Sequence, residues 1–133
     1  MKPSIYGTQD NRLRADVRRL CRLLTRDFKP DAASVNVVFV TDRRIHELNR
    51  RFLKRDRPTN VISFNCDETH LPGEPHLLGE VYVSRDRARA QAREYGVTYA
   101  SELRRLVLHG LLHLLGLTHA QMERCYRMYL GTQ

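Results

Sequence analysis

Three histidines near the C-terminal end of the chain have the spacing of metal ligands. His109 and His113 lie four residues apart in an apolar run, which predicts a helix carrying both imidazoles on one face. Gly116 follows three residues later, where a glycine can end the helix and reverse the chain. His119 can then approach the same point from outside the helix. Three imidazoles with an open fourth position are the ligand set of a catalytic zinc ion, or of another divalent transition metal.

The alternative for His109 and His113 is that they are hydrogen-bonded residues of an apolar core. Leucines and a valine surround both on nearly every side of the predicted helix, and burying two imidazoles there costs free energy unless each has a partner. A shared metal ion satisfies both at once. The remaining histidines, His46, His70 and His76, are expected on the surface or in loops, although His70 or His76 could approach the site.

The residue that follows His109 bears on the type of reaction. Metzincin proteases share this histidine spacing and carry a glutamate directly after the first histidine, where it serves as general base. Gly110 occupies that position here. The sequence therefore keeps the ligand spacing of a zincin-like helix but lacks the protease base, and water must be activated by another group or by the metal alone.

Length and composition predict one globular domain over residues 1–133. The hydrophobic fraction is 41% and the charged fraction 29%, which is the balance of a folded protein. The longest apolar stretch is too short and too polar to span a bilayer, and the first residues lack the apolar core of a secretory signal. We therefore expect a cytoplasmic protein without membrane contact. Three cysteines far apart, with no C-x-x-C pair, exclude a disulfide scaffold and a cysteine-based zinc finger.

The charge balance indicates a polyanionic partner. The chain carries 23 basic and 15 acidic residues, a net charge of +8, and arginine suits phosphate binding. A genomic preference for arginine over lysine would explain the same composition without any function. The basic residues of the stretch 43–57, together with Arg85, Arg87, Arg89 and Arg93, could line a groove for an RNA backbone. The loop after residue 65 is acidic instead, with Asp67, Glu68 and Glu74.

Hydrophobic periodicity predicts an α+β fold in which helices pack on a small mixed sheet. Helices are expected over residues 12–28, from a cap at Thr41 or Asp42 to about residue 53, from a cap at Ser84 to about residue 95, and over residues 99–115 and 120–130. Strands are expected over residues 34–41, 61–64 and 78–84, with a further short strand before the first helix. The second helix should bury a stripe formed by Ile45, Leu48 and Phe52.

Several motifs, in order along residues 35–119, resemble one family. The run HGLLHLLGLTH is similar to the H-G-x-L-H-L-x-G-Y-D-H motif of the YbeY-type endoribonucleases, the bacterial rRNA maturation factors. The run DRRIHELNRRFLKRDRPTNVISF is similar to a helix of that family followed by its D-x-P-T-[ND]-V-[LI]-S-F turn and strand. LGEVYVS is similar to the L-G-D-I-x-I-S strand, and SELRRLVLHG matches the approach to the metal helix.

The resemblance implies a single-domain α+β fold with one bound metal ion, expected to be zinc, held by His109, His113 and His119. It implies hydrolysis of single-stranded RNA, with roles at the 3′ end of small-subunit rRNA and in ribosome quality control. The implied partners are the small ribosomal subunit and an Era-type GTPase. Two positions depart from the family pattern, because Thr118 replaces an aspartate before the third ligand and Leu53 replaces an arginine after the second helix.

Candidate residues beyond the ligands follow from the chemistry of phosphodiester hydrolysis. A cation must neutralise the charge that develops on the phosphorus centre, and Arg55 is the expected catalytic group. Lys54, Arg55 and Arg57 are the expected RNA-binding residues. Glu80 and Glu102 are candidates to support the metal ligands, although Glu102 could equally be an exposed residue stabilised by the dipole of its helix.

Two other functions remain open on the sequence. A non-catalytic assembly factor could bind ribosomal RNA and use the metal only to stabilise its fold. A peptidase could use the same ligand geometry, although Gly110 argues against it.

Overall fold

The computed structural model describes residues 1–32, 34–57, 59–66, 71 and 73–131. Asp67, Glu68 and His70, which belong to the predicted acidic loop, lie outside these residues. The elements in chain order are β1 Lys2–Tyr6, α1 Asn11–Phe28, β2 Ser34–Val40, α2 Asp42–Leu53, β3 Val61–Asn65, β4 Leu77–Ser84, α3 Arg85–Tyr95, α4 Tyr99–Leu114 and α5 His119–Leu130.

The four strands form one mixed sheet in the order β1-β2-β4-β3. β2 pairs in parallel with both β1 and β4, whereas β3 runs antiparallel to β4 at one edge. β3 and β4 follow each other without an intervening helix, which permits the antiparallel pairing. The predicted α+β class, the mixed sheet and the short strand before the first helix are thereby confirmed.

The first three helices each begin with a polar cap, and Thr41 and Ser84 are caps that the sequence predicted. The side chains of Asp10, Thr41 and Ser84 each accept a hydrogen bond from a backbone N–H in the first turn of α1, α2 and α3, respectively. α3 ends at Gly96, whose φ of 67° is a left-handed conformation that a glycine adopts without strain. α5 begins at His119, one residue before the predicted start.

The two faces of the sheet bury different sets of residues. Val81 and Val83 belong to the larger core, which includes buried leucines of α1 and α4. The alternate β4 residue Tyr82 lies on the other face, against a small cluster from α2 and the sheet, namely Val40, Ile45, Leu48 and Ile62. The period of two along β4 therefore separates the face that α4 covers from the face that α2 covers.

The prediction that α2 buries a stripe of three residues is wrong for the last of them, Phe52. Ile45 and Leu48 are buried, but Phe52 is 55% exposed. The last turn of α2 contacts the edge strand β3 through Phe64, and among the described residues β3 has no neighbouring strand on its other side. The residue buried there instead is Asn49, whose Nδ2 donates to the carbonyl oxygen of Arg57 at 2.7 Å.

All three cysteines are free thiols, and Cys21 and Cys125 are buried in the larger core. A buried free thiol packs as a small apolar group. Within the described part of the chain, no helix is both long enough and apolar enough to cross a membrane.

Candidate metal and catalytic site

His109 and His113 bring two ring nitrogens together on α4. Their Nε2 atoms lie 3.0 Å apart, and the two rings meet at 68°. Two nitrogen ligands on a tetrahedral zinc ion lie about 3.3 Å apart when each bond is about 2.0–2.1 Å long. The pair therefore needs only a small side-chain adjustment to hold one divalent ion. The predicted placement of both imidazoles on one helical face is confirmed by this contact.

Tyr126 of α5 is the hydrogen-bond partner of the other His109 nitrogen. The tyrosine hydroxyl lies 2.6 Å from Nδ1 of His109, and the two rings are nearly parallel. When Nδ1–H donates to this hydroxyl, Nε2 carries the free lone pair that a metal ion needs. Burial lowers the pKa of the His109 imidazole, and His113 and Arg105 lower it further. Both effects favour the neutral imidazole.

The edge strand β3 forms the wall opposite this histidine pair. A cavity of about 320 Å³ is lined by Val61, Ser63, Asn65 and the two histidines. Ser63 Oγ donates to the carbonyl oxygen of Gly110, and Asn65 Nδ2 donates to that of Leu114, each at 3.0 Å. Two strand residues span about 7 Å and four helix residues about 6 Å, so the two bonds match in spacing and hold α4 parallel to the strand.

Gly110 lies where α4 is closest to the sheet. A Cβ atom at this position would lie 2.4 Å from Cγ1 of Val81 and 3.2 Å from Oγ of Ser63. A glutamate after His109 therefore cannot be accommodated unless Val81 or the helix shifts. The general base of a metzincin protease is excluded here by packing, which supports the interpretation of Gly110 made from the sequence.

His119 occupies a different part of the surface. It is the first residue of α5 and lines a cavity of about 590 Å³ together with His109, Glu102, Arg105 and Tyr126. Among the described residues, no three His, Cys, Asp or Glu side chains gather closely enough to form a metal-binding group. The structure thus brings His109 and His113 together and places His119 on the wall of an adjoining cavity. The three-histidine ligand set stays a prediction.

Glu102 is a buried charge rather than an exposed one. Its side chain is 1% exposed, and Oε1 accepts a hydrogen bond from Nε of Arg105 at 2.5 Å. The expectation of an exposed first-turn residue is therefore wrong. Because the Arg105 guanidinium neutralises it, the carboxylate can lie beneath the cavity that contains His109 without remaining unpaired.

Glu80 lies on the opposite face of the sheet from the histidine pair. Its carboxylate accepts hydrogen bonds from Asn36 Nδ2 at 3.0 Å and from the Tyr82 hydroxyl at 3.2 Å. The period of two along β4 separates Glu80 and Tyr82 from Val81, but the sequence does not show which of the two faces α4 covers. The structure does not bring Glu80 together with His109.

The predicted RNA-binding cations follow the end of α2. Lys54, Arg55 and Arg57 are all exposed, and Lys54 is the C-terminal cap of the helix. None of these three described residues lines either cavity that contains His109. Their roles in RNA binding, and that of Arg55 in catalysis, stay predictions.

Three of the four α3 arginines expected along an RNA groove make contacts within the protein. Arg85 donates to the carbonyl oxygen of Gly7, and Arg87 pairs with Asp42 at 3.2 Å. The guanidinium of Arg89 lies over the ring of Tyr99. These contacts hold the three side chains against the protein, so that they are less available to bind a ligand.

Arg105 and Tyr126 are the two site residues that the sequence analysis missed. Arg105 precedes His109 by four residues, so helical spacing alone could have placed it beside the histidine. Tyr126 lies 17 residues after His109 on another helix, and no local pattern indicates which face of α5 meets α4.

The two departures from the family pattern have different structural settings. Thr118 caps α5 in a capping box, in which its side chain accepts from Gln121 N and the Gln121 side chain accepts from Thr118 N. An aspartate and a threonine are both good helix caps, so this substitution keeps the turn that presents His119. Leu53 is 44% exposed at the end of α2.

Comparisons with known proteins agree with this architecture. The family described as Endoribonuclease YbeY matches residues 4–131. The Endoribonuclease YbeY of Desulfitobacterium hafniense is 46% identical over 97 residues, covering 68% of this chain and 62% of that protein. The Endoribonuclease YbeY of Oenococcus oeni is 40% identical over 102 residues, covering 74% of this chain and 67% of that protein. The chain thus spans about 62–67% of the length of these curated relatives.

A solved structure shows the same fold. The solution structure of a Thermotoga maritima protein aligns with a TM-score of 0.67 at 29% identity, covering 96% of this chain and 86% of that one. Sequence and structure therefore agree over nearly the whole chain. The chain belongs to the Endoribonuclease YbeY family, a family of hydrolases that act on RNA phosphodiester bonds.

Proposed function

We propose that the chain is a metal-dependent endoribonuclease that hydrolyses single-stranded RNA. The observation that carries the proposal is the meeting of His109 Nε2 and His113 Nε2 at 3.0 Å, beside an open cavity. Membership of the Endoribonuclease YbeY family supports RNA as the substrate. The exclusion of a side chain at Gly110 argues against a zincin-type peptidase.

His109, His113 and His119 are the residues proposed to hold the metal, zinc or another divalent transition ion. When bound, such an ion polarises a phosphoryl oxygen and lowers the pKa of a bound water. The donor set fits a metal ion. The distance between the Nε2 atoms of His109 and His113 is close to that between two nitrogen ligands of a tetrahedral ion. Tyr126 orients His109 through Nδ1.

Arg105 and the exposed cations after α2 are proposed to bind different phosphates of the RNA. Arg105 lines the same cavity as His109 and His119, and its side chain remains 41% exposed although it pairs with Glu102. It is therefore placed to contact the scissile phosphate. Lys54, Arg55 and Arg57 are proposed to hold the RNA backbone farther from the cut, with Arg55 as a second candidate for the charge that develops in the reaction.

The resemblance to the YbeY-type factors supports a cellular role in the cytoplasm. We propose maturation of the 3′ end of small-subunit rRNA and ribosome quality control, with the small ribosomal subunit and an Era-type GTPase as partners. A single-stranded RNA tail on the subunit would be the substrate.

The test is cleavage of a single-stranded RNA that carries a small-subunit rRNA 3′ end. Parent protein, His113→Ala and His46→Ala are prepared identically, because contaminating ribonuclease is the main source of error. Both histidines are at least partly exposed, but His46 lies on α2 and pairs with Asp56. Loss of a supporting contact to a metal ligand commonly costs 10- to 100-fold, so loss of the ligand itself should cost at least about 100-fold in rate.

Retention of activity by His46→Ala together with its loss in His113→Ala would support the enzyme. If the parent binds metal and RNA but never cuts, the protein is a metal-stabilised assembly factor instead. If His113→Ala cuts as fast as the parent, the proposed metal site is wrong.

A further inference from the structure

A row of three aromatic rings crosses the face of the sheet that α2 covers. Phe52 at the end of α2 contacts Phe64 of β3 edge-to-face, with ring centroids 5.6 Å apart. Phe64 in turn contacts Tyr82 of β4 at 5.9 Å. Phe64 and Tyr82 are half-buried, whereas Phe52 is 55% exposed. We call Phe52, Phe64 and Tyr82 the aromatic row.

The exposure of Phe52 calls for a partner because burial of the ring would be favourable. A phenylalanine with half of its surface in water forfeits a large part of the free energy that its burial would provide. In the chain, Phe52 is flanked by the cationic Arg51 and by the apolar Leu53, which is itself 44% exposed. The guanidinium of Arg51 lies 5.5 Å from the centroid of the Phe52 ring, and Arg50, Lys54 and Arg55 are exposed close by in the sequence.

An exposed ring bordered by cations fits a single-stranded nucleic acid better than an apolar protein surface. A protein partner that buried the ring would also have to desolvate these charges. A nucleobase can stack on the ring while the phosphates on either side reach the cations, and stacking of this kind accepts any base. At the other end of the row, the Glu80 carboxylate accepts a hydrogen bond from the Tyr82 hydroxyl, and its negative charge disfavours a phosphate there.

The edge strand β3 connects the aromatic row to the histidine pair. Ser63 and Asn65 line the cavity that contains His109 and His113, whereas Phe64 between them points to the opposite face. The row and the histidine pair thus lie on the two sides of one strand at the edge of the sheet. A single RNA strand that passes round this edge can therefore contact both.

We propose that the aromatic row is a stacking site for single-stranded RNA, which holds the bases next to the nucleotide at the histidine pair. The inference rests on the proposed function, because it takes RNA as the substrate of that pair. It adds a binding surface on the other face of the sheet, formed chiefly by Phe52.

The chain contains no tryptophan, so Phe52→Trp introduces a single reporter at this position. We would titrate this variant, in a His113→Ala background that prevents cleavage, with short single-stranded RNA. Stacking of a base on the indole should quench its emission and shift it. Inorganic polyphosphate of matched charge should bind the cations without that change. Equal quenching by polyphosphate would show a phosphate-binding surface and overturn the proposal.

The second measurement is the affinity for fluorescein-labelled RNA by anisotropy. Phe52→Ala should weaken binding of single-stranded RNA roughly 5- to 100-fold, as expected for the loss of one stacked base. Phe52→Leu should weaken it nearly as much, because it keeps an apolar side chain but removes the flat ring. Duplex RNA, whose bases are already stacked, should bind both variants as it binds the parent.

Tyr6→Ala is the matched control, since Tyr6 is 54% exposed on β1 at the opposite edge of the sheet. Equal affinity of Phe52→Ala and Tyr6→Ala for single-stranded RNA would refute the stacking site. An emission shift of Phe52→Trp that depends on protein concentration without RNA would show that a second copy covers the ring, and would refute it too. In either case the parent could still cut RNA, so failure of this inference is distinct from failure of the proposed function.

Discussion

The Nε2 atoms of His109 and His113 face each other 3.0 Å apart across one turn of α4. Two N–H groups directed at each other would repel, so at most one of these nitrogens carries a proton toward the other. Tyr126 lies on the far side of the His109 ring, 2.6 Å from Nδ1. The hydroxyl therefore offers an acceptor for the His109 proton and leaves Nε2 free to bind a cation.

Replacing Tyr126 with phenylalanine should weaken metal binding without unfolding the protein. The ring that stacks on His109 is kept, but the imidazole loses the partner that selects its tautomer, and such contacts are commonly worth 10- to 100-fold in metal affinity. We expect a loss of about 10-fold or more in zinc affinity, measured by competition with a chromophoric chelator. The visible spectrum of the cobalt-substituted protein should change as well.

Tyr129→Phe on the same helix is the matched control for this prediction. Tyr129 is buried, and its hydroxyl donates a hydrogen bond to Asp27. The substitution Tyr129→Phe should lower the stability of the metal-free protein and leave its zinc affinity unchanged. If the two variants show the same zinc affinity, Tyr126 has no positioning role.

Gly110→Ala should destabilise the fold. The added Cβ would lie 2.4 Å from Cγ1 of Val81, and overpacking of this kind typically costs about 1–3 kcal/mol. The helix would shift away from β3 and disturb the bond from Ser63 to the Gly110 carbonyl. Urea denaturation of the single and double variants with Val81→Ala measures the effect. Because Val81→Ala removes the obstructing atom, the double variant should lose less than the two single losses combined, and strict additivity would contradict the clash.

The Glu102–Arg105 pair should respond asymmetrically to substitution. Arg105→Ala leaves a carboxylate with 1% exposure unpaired and should cost about 2–4 kcal/mol. Glu102→Gln leaves a guanidinium that is 41% exposed and can turn to water, so its cost should stay near 1 kcal/mol. Chemical denaturation compares the two, with Glu94→Gln on exposed α3 surface as the reference. Equal losses would mean that water reaches Glu102.

Asp27 should make stability depend on pH in the acid range. The Arg26 guanidinium and the Tyr129 hydroxyl both donate to Asp27 and lower the pKa of its carboxyl from 3.8 to about 2. A pKa lowered by folding stabilises the protein above the unfolded value, and this contribution is lost as pH falls from about 4 to about 2. The stability difference between the parent and Asp27→Asn should therefore be largest above about pH 4 and shrink toward pH 2. A difference that does not vary with pH would show that Asp27 has no such role.

Local patterns in the sequence predicted most of the elements and the histidine pair. Caps such as Thr41 and Ser84, the glycine that ends α3, and the four-residue spacing of His109 and His113 each depend on neighbours within one or two helical turns. Backbone propensity and side-chain periodicity act over that range. The sequence alone was therefore sufficient to place both imidazoles on one face of a helix.

Only the tertiary structure decided what surrounds those imidazoles. Tyr126 meets His109 across 17 residues, Gly110 lies against Val81, and Glu80 lies on the face that α4 does not cover. Phe52 has helical spacing with buried residues, yet it lies against the edge strand β3 and is exposed. Periodicity shows which residues share one face of a helix or strand. What that face contacts depends on how the helices pack on the sheet, and this packing is set by residues far apart in the chain.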